Sequence, residues 1–337
     1  MVKISIICTN YNKKPWIAEA IQSFLNQKCQ FDYEIILVDD ASTDGSDLII
    51  RDYAEKYPDR IKAFFNKTNK GITATWISVC KEVSGDYIAR CDGDDYWTDS
   101  EKLQKQINLL ESNQESKWSC TDFDIISESG QLLHTKAIKN GIIRKMSSFE
   151  EELAYKGMTM SSSWLVETQL MKEVNDLIAP DAVDDTFNLQ LELFNKTKLS
   201  FLEDSTVVYR LHDGSDSHPL SVEKAKQRFE RLKETQLEYL QKNASADTAL
   251  ISSYLISEVS EQEKIIYEQR NQINKNSQLI QDLETNKSQL EKNIEQLRQE
   301  MDELEHKRDF WLNEYNMVVN SRRWKIPTKV INFFRRK

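Results

Sequence analysis

The chain is predicted to be an α/β protein with a mostly parallel, doubly wound sheet, followed by a long C-terminal coiled-coil helix. Three observations predict this. Short β-rich runs alternate with amphipathic helical runs over the first 125 residues, and polar clusters follow directly on the apolar bodies of the strands. From about residue 255 the chain has no glycine, has no proline before Pro327, and takes up a heptad.

The elements follow in order. "ISIICTNY" reads as a strand, and a helix opens at Pro15 with Ile17, Ile21, Phe24 and Leu25 on one face; proline suits a first helical turn. "YEIILVDD" is the next strand, then comes a helix carrying Leu48, Ile49 and Tyr53, and then the strand "IKAFF". A helix after Gly71, the strand "DYIARC" and a helix around Leu103 to Leu110 complete the alternation. Such an order implies parallel strands covered on both faces, with ligands bound at their carboxyl ends.

The 337 residues are 39% hydrophobic, with 13 Phe, 12 Tyr and 7 Trp, enough for one large domain or two smaller ones. A formal charge of −10 argues against general nucleic-acid binding. Cys8, Cys29, Cys80, Cys91 and Cys120 lack CxxC spacing and read as reduced core residues of a cytoplasmic protein. No stretch approaches the ~20 apolar residues of a membrane span.

The clusters "TNYN" (Thr9 to Asn12), "DDASTD" (Asp39 to Asp44) and "DGDD" (Asp92 to Asp95) each end a strand, so all three converge on one rim. Ser42 and Asp44 also suit helix capping, and Asp39 or Asp40 a turn. Turn chemistry alone needs one aspartate, whereas Asp92, Asp94 and Asp95 repel one another unless a cation or donor groups offset them. Mg2+ and Mn2+ take one or two carboxylates plus substrate phosphates, so a D-x-D-D suits a metal–diphosphate complex. An EF-hand is excluded, because no twelve-residue loop with a terminal Glu follows.

These stretches resemble the family 2 glycosyltransferases, inverting enzymes of the Rossmann-like GT-A fold that use nucleotide sugars. The match runs through "ISIICTNYNKKPWIAEAIQSFLNQ", "EIILVDDASTDGS", "NKGI" and "GDYIARCDGDDYWTDSEKLQKQ", within roughly residues 1 to 215. The resemblance implies that Thr9, Asn10, Tyr11, Asp40 and Asp92 bind the donor nucleotide, Asp94 ligates Mn2+ or Mg2+, and Asp95 and Trp97 face the donor sugar. Trp76 and Ile77 stand where many members carry Arg-Asn, while "DGDDYW…KL" is similar to bacterial rhamnosyl- and capsule-sugar transferases.

Inversion needs a base opposite the leaving diphosphate. "APDAVDDTFNLQLELF" offers Asp185, with Asp184 supporting it, although either also suits the first turn of that helix. "YRLH" resembles a family pattern that implies Arg210 on the diphosphate and His212 on the metal; His134 and His218 receive no role.

With Val259 at position a, thirteen of eighteen a and d positions to Val318 are apolar, and Ile at a with Leu at d favours a parallel homodimer. A long helix folded back on the first domain is the alternative. The last 17 residues, "SRRWKIPTKVINFFRRK", carry seven Lys or Arg and no acid. They read as a peripheral anchor to the anionic inner face of the cell membrane, or otherwise as a solvated basic tail.

The predicted organisation is therefore 1–215 catalytic (1–125 binding the nucleotide sugar, 126–215 on the acceptor side), 216–254 a helical connector, 255–320 a stalk and 321–337 a basic amphipathic tail. The expected activity is metal-dependent transfer of a sugar to a growing, lipid-linked surface or capsular glycan. The rivals are an inactive scaffold acting through its coiled coil, and a nucleotidyltransferase, which would be expected to carry a glycine-rich loop that "CTNYNKKPW" lacks.

Overall fold

The structure, a computed structural model, describes residues 3–182, 185–212 and 221–335, with the backbone alone at 185, 322 and 324. It divides into two compact units, Met1–Glu258 and Val259–Lys337.

The first unit opens with β1 (Ile4–Asn10), α1 (Ile17–Leu25), β2 (Tyr33–Asp39), α2 (Ser46–Lys56), β3 (Ile61–Phe65), α3 (Ile72–Val79) and β4 (Tyr87–Arg90). It continues through β5 (Tyr96–Trp97), α4 (Lys102–Ser112), β6 (Ser116–Ser127), β7 (Leu132–His134) and α5 (Phe149–Tyr155). A 3-10 turn at Ser161–Ser163 leads to β8 (Leu165–Glu167), α6 (Thr168–Asn175), α7 (Asp185–Lys196), β9 (Lys198–Leu211) and α8 (Val222–Lys242). The helix α9 (Thr248–Asn320) begins in this unit and runs into the second, which ends in α10 (Arg322–Arg335).

The sheet order is β3-β2-β1-β4-β8-β6-β9-β5, with β7 on β6. β1 pairs in parallel with β2 and β4, and β2 with β3, as the alternation predicts. Beyond β4 the sheet is mixed: β8 is antiparallel to β4 and β6, β5 is antiparallel to β9, and only β6 and β9 are parallel. The mostly parallel expectation thus describes the first half. Antiparallel neighbours need no long crossover helix, and between β6 and β8 the one α-helix is the short α5.

Burial on both faces accounts for the unbroken apolar runs of β1 and β2. Ile4, Ile6, Cys8, Ile35 and Leu37 pack on one side with Ile17, Ile21 and Phe24 of α1, Ile50 of α2, and Leu103 and Ile107 of α4. Ile7, Ile36 and Val38 face the other side with Trp76, Met171, Val174, Leu189 and Leu193. All five cysteines are free, and all but the half-buried Cys29 lie in the core. Burial, and then the charges of Asp92, Asp94 and Asp95, push the Cys8 thiol well up. α1 starts at Ile17 rather than Pro15, because Trp16 has a non-helical φ of −124°.

The boundary expected at residue 215 lies further on. Leu232 and Tyr239 of α8 and Ile251 of α9 pack with Phe149, Leu153, Phe187 and Leu191 in a third cluster. The segment expected to be a connector is thus part of the first unit. The stalk is helical, as expected, but unbroken for 73 residues from Thr248. Its stripe includes Ile273, Ile280, Leu290, Leu297 and Leu304, each more than half exposed on the single chain. No helix among the described residues is long and apolar enough to cross a membrane.

Leu232, Tyr239 and Ile251 each contribute roughly 1.5–3 kcal/mol by burial. A chain ending at Glu258 is expected to unfold in urea as cooperatively as the first unit of the whole chain. One ending at residue 221 leaves Phe149, Leu153, Phe187 and Leu191 uncovered, and should aggregate on size-exclusion chromatography.

Candidate active site

β1, β2 and β4 are parallel neighbours, so their carboxyl ends open on one side. There they wall a cleft of about 760 Å³ lined by Thr9, Asn10, Tyr11, Asp40, Asp92, Asp94, Asp95 and Arg210. Met158, Met160, Phe187, Tyr209 and Leu211 form its apolar wall. Among the described residues the fold brings nearly every expected donor-side residue to this rim. His134, given no role in the sequence, lines it as well.

Many of these side chains already hold the scaffold. Asn10 is 2% exposed, and its amide donates to Asp39 Oδ1 (2.7 Å), Ser46 Oγ (3.0 Å) and Ser42 Oγ (3.1 Å), locking the first two strand ends together. Asp40 accepts from Asn66 Nδ2 (2.7 Å), the Gly71 amide (3.0 Å) and the Lys70 amide (3.0 Å), so it pins the 66–71 loop that leads into α3. Asp44 accepts from the Lys14 amide at 2.8 Å and the Ser46 amide at 2.9 Å, a structural role, although the N-cap of α2 is Gly45 and not Asp44 or Ser42. Tyr11, 45% exposed, stands at the mouth.

The three acids of "DGDD" differ sharply. Asp92 accepts from Thr9 Oγ1 (3.1 Å) and pairs with Arg90 Nη2 (3.4 Å), while its amide donates to Ser162 Oγ (3.1 Å). Asp95 is 3% exposed and accepts from Ser162 Oγ (2.6 Å) and the Arg210 amide (3.0 Å). Burial, and then the charge of Asp94, push the Asp95 carboxyl well up. Asp94 Oδ2 lies 2.9 Å from His212 Nε2 and 2.6 Å from Lys13 Nζ. Burial alone would raise the Asp94 carboxyl, but the His212 hydrogen bond and the Lys13 charge outweigh it and hold it at about 2.

Asp94 and His212 are therefore brought together, although no group of three or more metal-ligating side chains occurs among the described residues. The donor set fits Mn2+ or Mg2+ in its substrate-borne form, with two protein ligands and the rest from diphosphate oxygens. A cation already stands at this point, the Lys13 ammonium, 3.0 Å from His212 Nε2. Arg210 lies alongside, donating from Nε to the Asp94 carbonyl (3.1 Å) and pairing with Glu19 (2.7 Å), so its diphosphate role would require it to share or leave Glu19.

Trp97 is a correction. It is 4% exposed, packs edge-on against Phe24 at 4.8 Å and donates from Nε1 to the Ser162 carbonyl at 2.9 Å, so it faces the core and not a donor sugar. Lys102, the lysine of "KL", is fully buried 4.2 Å over the Trp97 ring, with Nζ donating to Gln106 Oε1 (2.6 Å) and the Ser163 carbonyl (3.1 Å). Trp97 and Lys102 thus clamp the 3-10 turn whose Ser162 holds Asp92 and Asp95. The sequence gives Lys13, Ser162 and Lys102 no role, although Lys102 is the lysine of the "W…KL" stretch that carries the resemblance.

On the acceptor side, Gln190 of α7 accepts from the Thr159 amide (2.8 Å) and donates to Glu152 Oε1 (2.9 Å), fixing the helix whose first residue is Asp185. Asp184, the Asp185 side chain and the 213–220 stretch with Gly214 and His218 lie outside the described residues.

Residues 5–157 match the model of the family described as Glycosyl transferase family 2. The putative glycosyltransferase EpsE of Bacillus subtilis (strain 168) is 41% identical over 128 residues, 38% of this chain and 45% of EpsE. The putative teichuronic acid biosynthesis glycosyltransferase TuaG of the same organism is 30% identical over 151 residues, 42% of this chain and 58% of TuaG. The chain thus spans about half the length of these relatives. TarS 1-349 of S. aureus, solved in complex with UDP-GlcNAc, aligns at a TM-score of 0.57 and 20% identity over 75% of this chain and 70% of that one. The fold is therefore GT-A-like.

Burial lowers the Lys102 ammonium to about 7, whereas the unfolded chain holds it near 10.5. Between these values the unfolded chain binds more protons, so this group's contribution to stability rises with pH through that window. Urea melts at pH 7 and pH 9 should show the wild type gaining on Lys102→Met; a constant difference would place the amine outside this account.

Proposed function

We propose that the chain is an inverting glycosyltransferase that moves a sugar from a nucleotide-sugar donor to a growing surface or capsular glycan. The observation that carries the reading is Asp94, which follows β4 within the stretch 5–157 that matches the glycosyl transferase family, standing 2.9 Å from His212, which follows β9. TuaG's teichuronic acid and TarS's UDP-GlcNAc point to the same class of donor and product.

In this reading Asp94 and His212 hold Mn2+ or Mg2+, which when bound would offset the charge of the leaving diphosphate. Thr9, Asn10, Tyr11, Asp40 and Asp92 flank the nucleoside, and Asp40 acts in part by shaping the 66–71 loop. Arg210 offers a second positive charge to the diphosphate. Asp95, held by Ser162 and the Arg210 amide, supports the sugar end of the cleft. Asp185, supported by Asp184, takes the proton of the acceptor hydroxyl as its oxygen attacks the anomeric carbon and the bond to the diphosphate breaks on the opposite face.

The apolar stripe of α9 is read as the seam of a parallel homodimeric coiled coil. α10 exposes Ile326, Val330, Ile331, Phe333 and Phe334 among Lys325, Lys329 and Arg335. It is read as a peripheral anchor to an anionic membrane surface, which places the chain on the cytoplasmic face beside a lipid-linked acceptor.

Thermal-shift screening of UDP-, dTDP- and GDP-sugars with Mn2+ should identify one donor class. With that donor, Asp94→Asn and Asp185→Asn are each expected to lower donor turnover ~100-fold or more, measured at a temperature where circular dichroism shows each variant folded. No turnover of any donor by the wild type, or undiminished turnover by Asp94→Asn, would overturn the reading.

A further inference from the structure

Lys13 belongs to the turn between β1 and α1, and its side chain reaches the wall of the cleft 20% exposed. Its Nζ is 2.6 Å from Asp94 Oδ2 and 3.0 Å from His212 Nε2, and those two atoms are 2.9 Å from each other. The triangle is over-determined. One ring nitrogen either donates a proton to Asp94 or accepts one from Lys13, and it does not do both. What Oδ2 and Nε2 share is the geometry of two ligands turned on one cation, and the ammonium stands where that cation would be.

A divalent ion and an ammonium do not share this point, because the two positive charges would lie within contact distance in a poorly solvated cleft. The ammonium sits on a flexible four-carbon stem, so it is the member able to leave. Its nearest alternative anion in a loaded cleft is the diphosphate that arrives with the metal.

We propose that Lys13 is a tethered counter-ion: it holds the cation position between Asp94 and His212, yields it to the divalent ion, and moves onto the incoming diphosphate. Metal and nucleotide diphosphate are then linked, because each makes the displacement of Lys13 less costly for the other. The metal alone binds weakly, and loading the cleft with half of the complex is disfavoured. The inference rests on the cation site of the proposed transferase, but not on sugar transfer itself.

The test is a titration of free Mn2+ into the full-length protein without nucleotide, followed by electron paramagnetic resonance. Lys13→Met keeps the stem and removes the charge, and is expected to bind Mn2+ about tenfold or more tightly than wild type. Lys13→Arg keeps a charge and is expected to stay as weak as wild type. Equal affinities for wild type and Lys13→Met, or no Mn2+ bound by either, would overturn the proposal.

A second readout needs no variant. Reductive methylation of the wild type, mapped by peptide mass spectrometry, should modify Lys13 faster when millimolar Mn2+ is present, whereas unchanged labelling would count against displacement. The two readings fail separately. Mn2+ behaviour as expected without transfer from any donor would sink the transferase alone, and transfer with equal Mn2+ affinities would sink the role of Lys13 alone.

Discussion

Like charge concentrated at the end of one buried strand is the constraint on which this structure depends. Asp92, Asp94 and Asp95 lie within four positions, and none of them is left to water alone. Each has its own compensation: Thr9 and Arg90 for Asp92, Lys13 and His212 for Asp94, and Ser162 with the Arg210 amide for Asp95. These partners come from β1, the turn after it, β4, the 3-10 turn and the end of β9. Satisfying the acids therefore fixes how distant parts of the chain meet, and the cleft and the tertiary fold are specified by the same bonds.

The same arrangement separates the acids chemically. Asp94 is held down at about 2 by its cationic neighbours, whereas Asp95, one residue on, is pushed up by burial and by Asp94 itself. Environments that drive adjacent carboxyl groups in opposite directions are a means of giving them different tasks. Asp94 is the acid presented to cations, and Asp95 is the one built into the wall.

Much of the fold was legible because the first half obeys a simple rule, apolar strand then polar end, repeated at Thr9, Asp39 and Asp92. The mixed half was not, since β8 is three residues long and its antiparallel pairing leaves no periodic trace. The site was legible by residue type but less so by role. Trp97 after a strand end looks like a platform, and only its contacts with Phe24 and Ser162 place it in the core. Lys102 in "KLQKQ" looks like a solvated surface residue, because nothing local signals Gln106 and the Ser163 carbonyl above an indole. Ser162 sits about seventy residues from the acids that it serves, in a triplet of serines without its own signature. The sparse stripe of α8 likewise hid that Leu232 and Tyr239 complete a core.

Asp40 carries a lesson for anyone dissecting this cleft one residue at a time. Its carboxylate is committed to Asn66 and to the amides of Lys70 and Gly71. Removing it frees a loop as well as deleting a charge, so a loss of affinity in such a variant mixes two effects. Changes at Asp40 and in the 66–71 stretch should then be epistatic, their combined penalty falling short of the sum because the second change acts on a loop already released. In this cleft, thermodynamic cycles separate recognition from architecture where an alanine scan conflates them.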